Sequence, residues 1–370
     1  MRDTHARTGA PSVTHAPVRT SAPRRRAVVR RAAVASAVAC ALTAAFAPGV
    51  VAAPAPGGAP AEGKVLTHAA AATAKDEQQV RAYWTPERIA ALNTQVKDVP
   101  PRSGKDGAPW EGATATTVGR LFFTDHGEDA SCTATAVKSA NGSTVVTAGH
   151  CLNATDLIGE NNQWQTHVLY VPGYHDGKAP LGTFVVRWSV VNSVWLENDQ
   201  IHARFDAHDQ AFAVVGRNER GQTLQQATGA AQAIAYDAPG DRAAVQFGYP
   251  RAASDPAREG LPEYTGRELA YCQGTPWQYP GTPDHTEPAG MWGAACVMGG
   301  GASGGPRLGG FSAATGRGEV VGVNTQSAFM DAAGKVCQES AGSGCVRHLV
   351  GPQFTTALTK PLHDRAEQLN

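Results

Sequence analysis

From Val118 onward the chain is divided into short apolar or alternating runs separated by Gly, Asn, Asp and Pro. Gly119–Phe123, Cys132–Val137, His167–Val171, Thr183–Val191, Ala243–Phe247 and Glu319–Val323 are examples. Runs of this length, rich in β-branched and aromatic residues, predict strands. Many of them in succession, with turn formers between, predict an all-β sandwich or barrel. Helices are expected only toward the ends. Thr85 followed by Pro86 has the form of an N-cap with proline in the first turn, which predicts a short helix there. The spacing of Phe354, Leu358 and Leu362 predicts a C-terminal helix within 352–369.

The N-terminal region has a different texture. Residues 1–31 carry eight arginines against one acid, Asp3, and Ala32 to Phe46 is apolar or small apart from Ser36 and Thr43. Val51-Ala52-Ala53 then supplies small residues suited to cleavage. Charged, apolar and small segments in that order are the layout of a secretory signal peptide, assigned to 1–53. The apolar run is too short to span a bilayer comfortably, so no membrane attachment is expected once it is removed. Export also changes the charge. The formal net charge of the whole chain is zero, but residues 54–370 hold 24 basic and 31 acidic side chains, a net −7. That balance argues against a nucleic-acid partner.

Apart from Cys40 in the leader, six cysteines remain: Cys132, Cys151, Cys272, Cys296, Cys337 and Cys345. An even number in an exported chain predicts three disulfides, of which sequence-neighbour pairing is the arrangement adopted. Neither a CxxC pair nor HExxH occurs and the histidines are scattered, so no metal and no cofactor are expected.

Two motifs carry chemistry. Gly301-Ala302-Ser303-Gly304-Gly305-Pro306 presents a serine on a glycine loop, where the backbone can turn sharply and aim N–H groups at one point. A serine hydroxyl needs a nearby base to act as a nucleophile. Upstream, the strand-like run Thr144–Thr147 ends in Ala148-Gly149-His150-Cys151, which would hold a histidine rigidly with its ring accessible. A carboxylate is then needed to fix the imidazole tautomer. Candidates between the two are Asp156, Asp176, Asp199, Asp206, Asp209, Asp237 and Asp241. Asp209 is preferred because the apolar run Ala211–Val215 follows it, which would put the carboxylate at the mouth of a buried strand. Asp206 is its nearest competitor.

On Thr147–Cys151, Asp209–Phe212 and Gly301–Pro306, the chain resembles the chymotrypsin-like, trypsin-fold serine peptidases of the secreted bacterial type. The order His, Asp, Ser is that of chymotrypsin. The resemblance covers about 116–370 and implies two antiparallel six-stranded β-barrels, about 116–228 and 229–370, with a C-terminal helix. It implies His150 as base, Asp209 as orienting acid, Ser303 as nucleophile, and the N–H groups of Gly301 and Ser303 as oxyanion donors. It also implies a Cys132–Cys151 disulfide and a substrate-pairing strand through Val323, Asn324 and Thr325. Val297 falls where trypsins place the acid that recognises Lys or Arg. No acid occurs from Met291 to Ala302, so a small or apolar side chain is the expected preference, with an acidic one as in the similar glutamyl endopeptidases left open.

Residues 54–115, rich in Pro, Gly and charge at both ends, are read as a propeptide or linker that would keep the enzyme inert or assist its folding. In many animal members an aspartate just before the serine pairs with the freed N-terminus; here that residue is Ala302, so that switch cannot operate. The expected function is a secreted, monomeric serine endopeptidase acting on proteins or peptides. A catalytically silent scaffold is one alternative. An esterase is the other, since Gly301–Gly305 also fits G-x-S-x-G. That motif requires a strand before the serine and a helix after it.

Overall fold

The computed structural model describes residues 63–95, 106–110, 115–156, 159–199, 203–251, 260–280, 290–338 and 344–370. The signal peptide assigned to 1–53 and the start of the adjoining propeptide lie outside them. The first strands are β1 (Val65–Ala69), β2 (Asp106–Pro109), β3 (Val118–Asp125), β4 (Glu128–Val137) and β5 (Thr144–Thr147). A small hairpin follows, β6 (Asn153–Ala154) and β7 (Gln163–Trp164), and then β8 (Thr166–Pro172), β9 (Phe184–Asn192) and β10 (Ala211–Val215). The pairing order β9-β10-β5-β4-β3-β8 returns to β9, so six antiparallel strands close into a barrel, with β1 added on β9.

Both faces of these strands are buried, which explains why they read as continuous apolar runs. Leu121, Phe123, Val168, Tyr170, Ala211 and Ala213 fill the barrel interior. The alternate residues Phe122, Leu169, Phe212 and Val214 belong to a second core on its outside, as the two-residue period of a strand requires. That outer face is covered from the two ends of the chain. Helix α1 (Ala74–Tyr83) and helix α2 (Pro86–Ala91) cover one part, with Trp84 packed on Phe122 at 5.5 Å between ring centroids. The short helix α3 (Leu224–Thr228) lies between the two halves of the sequence, and α4 (Lys360–Ala366) covers β10, with His363 stacked on Phe212. Thr85 caps α2 as expected, accepting from the Arg88 N–H.

The second half contains β11 (Ala233–Ile234), β12 (Ala244–Gly248), β13 (Ala270–Gly274), β14 (Trp277–Gln278), β15 (Met291–Gly293), β16 (Pro306–Ser312), β17 (Arg317–Val323), β18 (Gln326–Met330) and β19 (Val346–Pro352). They form a six-stranded sheet, β11-β17-β16-β12-β13-β2, and a four-stranded sheet, β14-β15-β19-β18, joined by a bridge between Gly322 and Gln353. The architecture is the trypsin-like double-barrel fold, with the closed six-stranded barrel in the first half. The C-terminal helix is shorter than the spacing predicts. Pro352 still belongs to β19, and the Phe354 N–H donates to Val321, so the chain leaves the sheet only after Phe354.

The described parts of the segment read as propeptide or linker, 63–95 and 106–110, pack against both halves. Its strand β1 pairs with β9 from Val65↔Asn192 to Ala69↔Trp188, and β2 pairs with β13. Ala71, Val80 and Trp84 are in the main core. Trp110 stands edge-on to Phe247, Tyr271 and Phe311.

Candidate active site

His150 sits in a single 3-10 turn, Gly149–Cys151, that begins where β5 ends. Gly149 is required there, because a Cβ would lie 2.9 Å from the ring of the buried Trp195. The Cys132–Cys151 disulfide ties the turn to β4. Asp209 precedes β10, the strand paired with β5, so the register Ala211↔Thr147 brings it alongside His150. The His150 backbone N–H donates to Asp209 Oδ1 at 2.9 Å, and Nδ1 lies 2.9 Å from Oδ2 and 3.2 Å from Oδ1. The acid is held from two directions and is 11% exposed, whereas the His150 side chain is 31% exposed, leaving the ring reachable. Asp206, the competitor, turns toward the other half and accepts from Gln326 Nε2 at 3.1 Å.

The loop carrying Ser303 is pinned to the first barrel through Thr133, the neighbour of Cys132. The Thr133 N–H donates to the Ser303 carbonyl at 2.7 Å, and its hydroxyl donates to the Gly301 carbonyl at 2.8 Å. The same hydroxyl accepts from the Tyr249 N–H at 2.9 Å. Gly301 has φ +97° and Gly304 φ +76°, conformations that favour glycine. The N–H groups of Ala302, Gly304 and Gly305 are bonded to Gly299, Asn324 and Ala302 carbonyls. Among the described residues, those of Gly301 and Ser303 donate to no protein acceptor. Two unsatisfied donors flanking a bonded one are suited to hold an oxyanion. The elbow reading fails on local structure, since Ser303 is followed by strand β16 from Pro306 instead of a helix.

The remaining sequence-derived residues are arranged as follows. Val297 follows Cys296 and packs against the cluster of Leu261, Tyr264, Cys296 and Met298. Val323 is fully buried and opposite Pro306. Asn324 is also fully buried and braces the serine loop from within. Its Nδ2 donates to the Phe247 carbonyl at 3.0 Å, its Oδ1 accepts from Gln246 at 2.7 Å, and its backbone is bonded to Gly304 and Gly305. Of these three, Thr325 alone is partly exposed. The cysteines pair as 132–151, 272–296 and 337–345. Cys132, Cys151 and His150 place ligand-type atoms within 4.8 Å of one another, but both sulfurs belong to the disulfide and offer no thiolate. Sequence reasoning missed Thr133. Its only signal was its position beside Cys132 in a strand.

Burial alone would lower the His150 pKa, but the charge and hydrogen bond of Asp209, with a smaller contribution from Asp125, outweigh it, and the net direction is upward. Neutral His150 is the form that can accept a proton. The acid limb of kcat/KM is therefore expected above the ~6.5 of an unperturbed histidine, and a pH–rate profile with its acid midpoint at or below that value would contradict this. The same shift stabilises the fold fully below the unfolded-state pKa, and that contribution is lost as pH rises through the folded-state value.

No family model matches the sequence, and no curated protein sequence matches it. Solved structures do match. A thermostable serine protease, AL20, from an extremophilic microorganism is 28% identical with a TM-score of 0.53, covering 69% of this chain and 99% of that one. Protease Anisep from Arthrobacter nicotinovorans is 28% identical with a TM-score of 0.52, covering 68% of this chain and 96% of that one. Over about two thirds of its length the double-barrel chain is thus similar to a solved serine protease and a solved protease. Such neighbours support a hydrolase, and hydrolysis is the chemistry for which a histidine, a buried aspartate and a glycine-flanked serine are suited.

Proposed function

We propose that this chain is a secreted serine endopeptidase that cleaves peptide bonds through an acyl-enzyme. The observation that carries the reading is the His150–Asp209 hydrogen bond at 2.9 Å beside a serine loop whose Gly301 and Ser303 N–H groups have no acceptor among the described residues. In this mechanism Ser303 Oγ attacks the substrate carbonyl carbon while His150 Nε2 takes its proton. Asp209 holds Nδ1–H and stabilises the imidazolium, and the Gly301 and Ser303 N–H groups stabilise the oxyanion. His150 then returns the proton to the leaving amine, and water, activated by the same ring, releases the acyl group. No cofactor enters the scheme.

Val297, with no acid nearby in the sequence, favours a small or apolar side chain at the scissile bond, and Thr325 is the residue of the 323–325 run proposed to meet substrate. Three disulfides and a leader of signal-peptide layout support export, and the described residues contain no helix long and apolar enough to cross a membrane. A fluorophosphonate probe tests the reading. Labelling of the wild-type chain and its loss in Ser303→Ala are expected; an unlabelled, correctly folded wild type would leave only the silent-scaffold reading. Digestion of a peptide library beside short acyl esters separates peptidase from esterase and reports the specificity.

A further inference from the structure

The segment before the peptidase region reaches the back of the serine loop through two residues. After α2 the chain runs to Asn93 and Thr94, which lie among three separate backbone stretches of the peptidase region. Asn93 Oδ1 accepts from Arg120 Nη1 at 2.6 Å. The Thr94 N–H donates to the Thr265 carbonyl at 3.2 Å, and the Thr94 hydroxyl donates to the Arg251 carbonyl at 2.5 Å. Arg251 in turn donates its own backbone N–H to the Gly300 carbonyl at 2.6 Å.

That last bond has a direct consequence for chemistry. The Gly300 carbonyl and the Gly301 N–H belong to one peptide group, which is planar, and in its trans form the two point in opposite directions. Whatever holds the Gly300 oxygen toward Arg251 therefore aims the Gly301 N–H the other way. The Ala302-to-Gly299 bond closes the turn around this peptide but leaves its plane free to flip between two glycines, and Gly300 has no side chain to hold it. Its carbonyl bond to Arg251 fixes the plane, and the Thr94 hydroxyl fixes the Arg251 residue from the opposite side.

The surroundings support the connection. Arg120 is fully buried, and burial lowers its pKa to about 10. Its guanidinium bonds Ser131 Oγ, Asn93 Oδ1 and the Gly266 carbonyl, and Gly266 returns its N–H to the Pro250 carbonyl, next to Arg251. Residues 93–94, 250–251 and 265–266 thus form one hydrogen-bonded cluster. The rest of the segment is fastened independently. The β1 strand pairs with β9, Arg81 bonds Glu219 at 2.8 Å, and Arg88 bonds Asp129 at 2.5 Å.

We propose that the N-terminal segment is an activating strap, in which Thr94 is a positioning residue that fixes the Arg251–Gly300 bond and so aims the Gly301 N–H into the active site. This rests on the oxyanion role given to Gly301 above. In this proposal the segment read as propeptide or linker, expected to keep the enzyme inert or assist its folding, instead belongs to the working enzyme. It also gives a route to an ordered serine loop in a chain with Ala302 in place of the aspartate switch.

The test uses the full chain with Thr94→Val, which keeps the shape and removes the donor, and Thr94→Ser, which keeps the donor. Hydrogen–deuterium exchange across 299–303 is expected to quicken at least tenfold in Thr94→Val and to stay at the wild-type rate in Thr94→Ser. On a peptide substrate, Thr94→Val should lower kcat about tenfold with KM within twofold, a fraction of the 10²–10³ lost when an oxyanion donor is removed outright. Thr94→Ser should restore it. Unchanged exchange, or a loss of kcat that Ser does not restore, overturns the strap. A wild type without peptidase activity overturns the functional reading instead, and the exchange measurement still decides whether Thr94 orders the loop.

Discussion

Asp209→Asn is expected to lower kcat by about 10⁴-fold while leaving the fold in place. The reason lies in the two bonds the carboxylate makes. Oδ1 accepts from the His150 backbone N–H at 2.9 Å, and Oδ2 faces Nδ1 at the same distance. An amide can satisfy the backbone donor only with its oxygen, which leaves its NH₂ group facing Nδ1. Nδ1 must then accept, so the ring proton moves to Nε2, the atom that has to take the proton from Ser303. The base is present but in the wrong tautomer. A second effect runs the same way. Burial lowers the His150 pKa and Asp209 raises it, so removing the charge leaves burial opposed only by the smaller contribution of Asp125 and moves the acid limb of the residual activity to lower pH. Kinetics against pH, with a melting curve for each protein, check both effects. Activity within tenfold of wild type would sink the assignment of Asp209.

Gly304→Ala is the second large effect, and it acts on the fold. Gly304 has φ +76°, and a Cβ there would lie 2.0 Å from Thr147 Oγ1, 2.3 Å from the Thr133 carbonyl oxygen and 2.9 Å from the Ala148 N. Two of these are backbone atoms, one in β4 and one at the start of the turn that carries His150, so they cannot move aside cheaply. A left-handed residue costs about 1–2 kcal/mol and overpacking about 1–3 kcal/mol, which together give about 2–5 kcal/mol. Denaturant unfolding of the variant should show that loss, with peptidase activity lost as well. Gly300→Ala is the control, since a Cβ there meets nothing within 4 Å. Equal stability of the two variants would mean that the loop does not seat against the first barrel as described.

The strands and the three chemical residues were legible because each had a local cause. Ala211–Val215 is apolar throughout since both its faces are buried, His150 and Asp209 sit beside strand ends that the apolar runs mark, and Ser303 sits in a loop marked by its glycines. What stayed hidden depended on distant partners. Asp106–Pro109 contains Gly and Pro and reads as loop; it becomes a strand only because β13 offers an edge and the last position of an edge strand tolerates proline. Val65–Ala69 is similarly short and gains its strand from β9. Asn324 is expected in a substrate-pairing strand, yet its amide finds its partners inside the protein. Arg120 and Arg307 would be placed on the surface by composition, and both are fully buried. Local pattern thus located the candidate chemistry, while the supports beneath it came from partners outside any local window.

Thr133 joins the halves of the molecule that hold His150 and Ser303, and on the proposed function this bears on when the chain becomes active. His150 and Asp209 are fixed once the first barrel closes, but the serine loop has no seat until the second half has been synthesised and laid against β4. On the proposed function, a chain whose second half is not yet laid against β4 holds base and acid without a seated nucleophile, so activity would begin only when the two halves dock.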